Sequence, residues 1–419
     1  MSAPRRVACA LGLALAPACL SAPTGQPAAS HDAAAIDAEV PDATPDADLT
    51  LWPPAGIEVA AIVGGDFDGD GTGDLVIASV GAEPGLYLLR GGVDLDVTAD
   101  PIATHFSAFR ALAMTAPVSL AAVEVDAAAG SDVAVSYVSG GDVRLAVLRG
   151  SDLELLNDVA SGIPTPPAGR DGWLATTVFG TMDRLIVDSD GDTRHVAPAD
   201  LLDASPMLGL IPPEAPATRW TQPQTVFAYG QGTVEVVMVT STQILVSDLP
   251  TAPPPGGMFA FTILRDGMPW LGQVPLDLDD DSVPEVLGFS PEGGNPGKIC
   301  GYSVTGVVAT TCLDTTVPDD EDVVMLAAQM TPDTDPELAV IHTGDTVSTL
   351  TIIPKVTMTA TTLASDPVPP VADVTIPDAL VAISDLAGSG RGQVALVGTG
   401  GEISCRTLGM TGIRDCAPP

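Results

Sequence analysis

Asp66-Phe-Asp-Gly-Asp-Gly-Thr-Gly-Asp74 runs directly into the apolar stretch Leu75-Val-Ile-Ala78. The carboxylates of Asp66, Asp68, Asp70 and Asp74 can converge on one hard cation, because the intervening glycines let the backbone curl and the carbonyl of Thr72 adds an oxygen. The aliphatic run that follows reads as a β-strand. The segment is therefore read as a calcium loop feeding a strand. Asp277-Leu-Asp-Asp-Asp-Ser-Val-Pro-Glu285 repeats the spacing far downstream, which makes the loop an element of a repeat.

Aligning the chain on the end of this loop brings out further copies. Asp74 corresponds to Asp132, Glu235, Glu285, Glu337 and Gln393, with one more copy, in an open register near Arg184, between Trp173 and Val187. The copies lie 50 to 58 residues apart, and seven units fill the chain. A period near fifty residues with about four short strands per unit is the sequence pattern of a β-propeller. In the first unit the strands are expected near 57–64, 74–79, 85–90 and 102–108. The fold expected is all-β, a seven-bladed β-propeller of four-stranded antiparallel blades spanning residues 51–419. Two β-sandwiches would not predict evenly spaced loop-then-strand copies.

These residues resemble the FG-GAP or VCBS-type repeat of integrin α-subunit propellers and many bacterial surface proteins. Residues 66–78 and 277–287 carry the closest match. The resemblance implies that the acidic loop joins the first two strands of a blade and holds calcium. It assigns the ligands Asp66, Asp68, Asp70, Thr72 and Asp74 in one loop, and Asp277, Asp279, Asp281, Val283 and Glu285 in the other. The unit ending at Glu337 keeps only Asp333, Asp335 and Glu337, and the second, fourth and seventh units have lost most of their oxygens. An EF-hand would need a bidentate Glu at loop position twelve, where the chain has Ile77 and Gly288. An acidic turn without an ion is the remaining alternative, opposed by the mutual repulsion of four carboxylates. Asp188-Ser-Asp-Gly-Asp192 is out of phase with the repeat and reads as a hairpin turn.

Composition agrees with many turns between short strands: Gly 43 and Pro 39 punctuate a chain of 419 residues that is 46% hydrophobic. Sixteen Lys and Arg against 54 Asp and Glu give a formal charge of −38, which excludes a phosphate-neutralising surface and hence nucleic acid as a partner. Residues 1–19 read as an export signal, with Arg5 and Arg6 before an apolar run that is too short to span a membrane. The sequence Ala16-Pro-Ala-Cys19 resembles a bacterial lipobox. That implies a lipid-anchored envelope protein modified at Cys19, although Ala16-x-Ala18 also suits ordinary signal peptidase and free secretion. Residues 20–50, rich in Ala, Pro and Asp, are expected to form a disordered tether.

Cys300, Cys312, Cys405 and Cys416 remain for disulfides. The pairs 300–312 and 405–416 each bracket a hairpin, where facing cysteines come within bonding distance. Without close Cys-x-x-Cys spacing or a histidine neighbour, zinc does not fit. His31, His105, His195 and His342 are scattered and neighbour no recognisable nucleophile. The functional expectation is a monomeric, non-enzymatic binding or scaffold protein with a protein or glycan ligand. Trp173, Trp220 and Trp270, near the starts of their units, offer an aromatic rim or packing between blades. The alternative is a polysaccharide lyase or hydrolase acting in the channel.

Overall fold

A computed structural model describes residues 50–51, nearly all of 57–166, and from 174 to 415 chiefly the strands with short flanks. In the strands of 174–179 and 209–276 the description extends to the backbone alone. The folded unit, Asp48–Pro419, contains no α-helix among the described residues, and its one helical turn is a 3-10 segment at Pro198–Leu202.

Among the described residues there are seven four-stranded antiparallel sheets, each built from strands consecutive in sequence, apart from one insertion in the first. Their opening strands are Ile57–Gly65, Thr115–Val123, Leu174–Phe179, Trp220–Gln224, Leu271–Leu276, Asp322–Ala328 and Leu380–Ile383. Each opening strand neighbours the next, and Leu380–Ile383 neighbours Ile57–Gly65, so the sheets close into a ring. The architecture is a β-propeller.

Alternation along the second strands explains how the ring is held. In Asp74–Gly81 the side chains of Leu75 and Ile77 pack with Ala339, Ile341, Val394 and Leu396 of the last two sheets. Val76 and Ala78 point the other way, onto Leu120, Val133 and Val135 of the second sheet. Successive strand residues face opposite sides of a sheet, so a run that is apolar at every position fits only a strand covered on both faces. The same division recurs in Glu337–Thr343: Leu338 and Val340 join Leu287 and Phe289 of the fifth sheet, whereas Ala339 and Ile341 turn toward the seventh. Each fully buried Leu, Ile or Val side chain among them contributes about 1.5–3 kcal/mol.

The residues aligned in the sequence open the second strands. Asp74, Asp132, Arg184, Glu285, Glu337 and Gln393 are each the first residue of such a strand, and Glu235 is the second residue of Val234–Thr240. The register left open at Arg184 is thereby settled.

The fourth strand of the first sheet is a correction. It spans Ala108–Ala111 and not 102–108, pairing Gly85 with Ala111 and Tyr87 with Phe109. Ala103–Thr104 instead pairs with Leu95–Asp96 and with Thr50–Leu51 in a small three-stranded sheet. The aromatic contact of Tyr87 with Phe109, 4.6 Å between ring centroids, fixes the later register. Thr50, one residue before the expected start of the folded part, already belongs to a sheet.

Cys300 and Cys312 face each other across Lys298–Ser303 and Ala309–Asp314 and form a disulfide, with Cα atoms 4.1 Å apart. Cys405 is also disulfide-bonded. Its neighbour Arg406 lies opposite Asp415, and Cys416, the expected partner, lies outside the described residues. Arg184–Ser189 pairs antiparallel with Asp192–Val196, with Ser189 opposite Asp192.

Candidate functional site

The acidic loop leaves the first strand at Gly65 and enters the second at Asp74. Phe67 is its anchor: the ring is fully buried and packs among Val76, Leu88 and Leu148, fixing the loop between the first two sheets. Gly69 and Gly71, at φ of 77° and 87°, adopt the left-handed conformation that carries the chain around the carboxylates.

Asp66 organises the turn. Its Oδ1 accepts the N–H groups of Gly69 at 2.7 Å and Asp70 at 3.1 Å, and its Oδ2 accepts Gly71 N–H at 2.9 Å. Asp68 Oδ1 accepts Asp70 N–H at 3.2 Å, while Arg90 Nε lies 3.2 Å from Asp68 Oδ2. Asp70, exposed, accepts the N–H of Thr72 at 2.6 Å. Carboxylate oxygens of Asp66, Asp68 and Asp74 lie within 4.8 Å of one another, and Asp70 is outside that group.

Asp74 has a second occupation that its spacing does not reveal. It is buried, its Oδ2 accepts Phe67 N–H at 2.8 Å and Asp68 N–H at 3.3 Å, and its Oδ1 accepts Gly91 N–H at 3.0 Å. Asp132 makes the same bracket in the second sheet, taking Val125 and Asp126 N–H on Oδ2 and Gly150 N–H on Oδ1. Glu337 takes Met330 and Thr331 N–H on Oε2. Gln393, also buried, occupies the same position in the seventh sheet. At the loops of Asp74, Asp132 and Glu337 the buried backbone donors need an acceptor with or without a metal.

Burial pushes the Asp74 carboxyl up to about 6, against the lowering effect of the Gly91 and Phe67 N–H groups, and the nearby Asp68 charge adds to the rise. Burial likewise raises Asp132. A divalent cation among Asp66, Asp68 and Asp74 would reverse that direction for Asp74. The donor set fits a hard, oxygen-seeking ion: three carboxylates converge, and each keeps lone pairs beyond those its N–H partners use.

The loop also closes a joint between sheets. Gly130 and Gly150 lie so near it that a Cβ would stand 2.6 Å and 2.8 Å from the Phe67 carbonyl oxygen. A Cβ on Gly150 would stand 1.9 Å from Ser131 O, and one on Gly91, its equivalent, 2.0 Å from Gly73 O. The residues missed by the sequence reading are thus Arg90-Gly91 and Arg149-Gly150. The repeated Leu-Arg-Gly at 89–91 and 148–150 was the available signal.

Asp277, Asp279, Asp281 and Val283 lie outside the described residues, and Glu285 is described as the first residue of its strand, without its side chain. Cys19, Asp333, Asp335, Trp173 and Trp270 also lie outside them. Trp220 opens the first strand of the fourth sheet.

No protein-family profile matches the sequence, and no curated protein does either. Solved structures similar to this chain include Hsv2 of Kluyvelomyces marxianus, 12% identical over 84% of this chain and 93% of that one, with a TM-score of 0.47. The Dos1 propeller is 9% identical over 68% and 67%, with a TM-score of 0.44. AofleA of Arthrobotrys oligospora is 10% identical over 73% and 86%, with a TM-score of 0.42.

Proposed function

We propose that this chain is an exported, non-enzymatic binding or scaffold protein whose seven sheets are the seven blades of one calcium-stabilised propeller of the FG-GAP/VCBS type. It is held at a bacterial cell envelope through a lipid on Cys19 and presents one face of the ring, as a monomer, to a protein or glycan. The observation that supports this reading most directly is the placement of Asp66, Asp68 and Asp74 at the joint between two sheets. Calcium there would be held by those carboxylates, and in the second loop by the corresponding oxygens of Asp277, Asp279, Asp281 and Glu285. It would neutralise clustered charge and stabilise the native ring by linkage.

The test is a glycan array and a pull-down from the source envelope with the full chain, combined with an assay for new sugar ends on polysaccharides. Saturable capture of a ligand without bond cleavage is expected. Release of reducing or unsaturated ends by the protein would overturn the non-enzymatic reading in favour of a lyase or hydrolase.

A further inference from the structure

We infer that Arg90 is an internal competitor for the first acidic loop, holding the Asp68 carboxylate while calcium is absent and yielding it when calcium enters. This rests on the calcium reading proposed above. Of the three converging carboxylates, Asp66 and Asp74 each take three backbone N–H groups, which fixes them in place. Asp68 takes one, from Asp70, and its other oxygen faces Arg90. Asp68 is therefore the ligand with freedom to move.

Arg90 cannot drift away from it. The next residue, Gly91, is pinned by its N–H to Asp74 Oδ1, and Arg90 Nη2 donates at 3.0 Å to the carbonyl of Ser151, in the turn between the last two strands of the second sheet. The Nε–H is not directed at Asp68 Oδ2, so that contact is a Coulombic pairing and not an aligned hydrogen bond. An ion coordinated at about 2.3–2.6 Å displaces such a contact readily.

The equivalent arginine shows that the pairing is not dictated by the repeat. Arg149 follows the third strand of the second sheet as Arg90 follows that of the first, beside a loop that keeps Glu124, Asp126 and Asp132 at the positions of Asp66, Asp68 and Asp74, yet it turns to Asp152 and Glu154 of its own turn and not to Asp126. Of these two arginines, Arg90 is the one that pairs with the loop. It takes the carboxylate that calcium would need, and through Ser151 it links the state of the loop to the first joint of the ring.

The test is calorimetric titration of calcium into the full chain, with the second loop silenced in every sample by Asp279→Asn and Asp281→Asn. Arg90→Gln and Arg90→Met, which keeps an aliphatic stem, should bind calcium about fivefold more tightly than the parent, the scale of a partly exposed ion pair. Arg90→Lys, which keeps the charge, should stay near the parent. Tight binding by the charge-free variants alone would also support the competitor. Binding by both charge-free variants no tighter than the parent's would overturn it while leaving the calcium reading intact. Absence of binding in every sample would overturn both.

Discussion

The backbone N–H of Ser131 donates to the carbonyl of Asp66 at 2.8 Å, tying the acidic loop of the first sheet to the equivalent loop of the second. Ser131 immediately precedes Asp132, and Asp66 stands eight residues before Asp74. The same offsets recur between the sixth and seventh sheets, where Gly392, just before Gln393, donates to Gln329, eight residues before Glu337, at 3.0 Å. The seventh loop has lost most of its carboxylates, yet its joint forms. The joint therefore belongs to the repeat, and the acidic cluster is an addition to it.

Gly150→Ala should damage that joint severely. Its Cβ would meet backbone at 1.9 Å and 2.8 Å, which neither neighbouring sheet can relieve by a rotamer change, so a loss of about 3 kcal/mol or more is expected. Gly71→Ala meets open space and bears only the strain of φ +87°, about 1 kcal/mol. Urea unfolding of both variants measures the difference. Equal losses would mean that the loop contact contributes nothing.

Asp132→Ala should cost about 2–4 kcal/mol by leaving the N–H groups of Val125, Asp126 and Gly150 without their acceptor. Asp132→Asn should cost less, about 1–2 kcal/mol, because one carboxylate oxygen is replaced by a donor facing another donor. Chemical denaturation in chelator isolates the effect from any metal. Indistinguishable alanine and wild-type midpoints would refute the bracket.

The same residue gives a pH dependence with a definite sign. Burial raises the folded-state pKa of Asp132 above its ordinary value of 3.8. The corresponding stabilisation is fully present below that value and is lost as pH rises through the folded-state pKa. The stability margin of the wild type over Asp132→Asn should thus be larger at about pH 3.5 than at pH 7. A margin that grows with pH would contradict the buried placement.

How much of this was legible follows from what each signal can distinguish. The strands opening at Asp74, Asp132, Glu285, Glu337 and Gln393 could be read because an acidic or amide residue precedes a run that is apolar on both faces. The bracket could not, since a carboxylate at the end of an Asp-rich loop has the same spacing whether it faces a cation or N–H groups. Gln393 held the clue: a neutral amide has no charge for a cation to neutralise, yet its oxygen accepts N–H groups as a carboxylate does. The fourth strand of the first sheet was misplaced because Ala103–Thr104 and Ala108–Ala111 are both short and pattern-poor. The backbone pairing of Gly85–Leu89 with Ala108–Ala111, with Phe109 opposite Tyr87, decides between them.

Cys300→Ser with Cys312→Ser should lower stability by about 2–3 kcal/mol, as expected when a short loop is opened. Mass mapping of a non-reduced digest should recover the 300–312 pair, together with Cys405 bonded to Cys416. An unchanged unfolding midpoint would show that the hairpin holds without its crosslink, and a crossed pairing would refute the assignment.

The most direct test of the account is the thermal unfolding midpoint of the full chain in calcium and in chelator, beside an Asp66→Asn, Asp68→Asn variant. Calcium should raise the wild-type midpoint by several degrees and raise that of the variant less. Equal wild-type midpoints in calcium and chelator would contradict the claim that the Asp66–Asp74 loop is a metal-stabilised joint of the propeller.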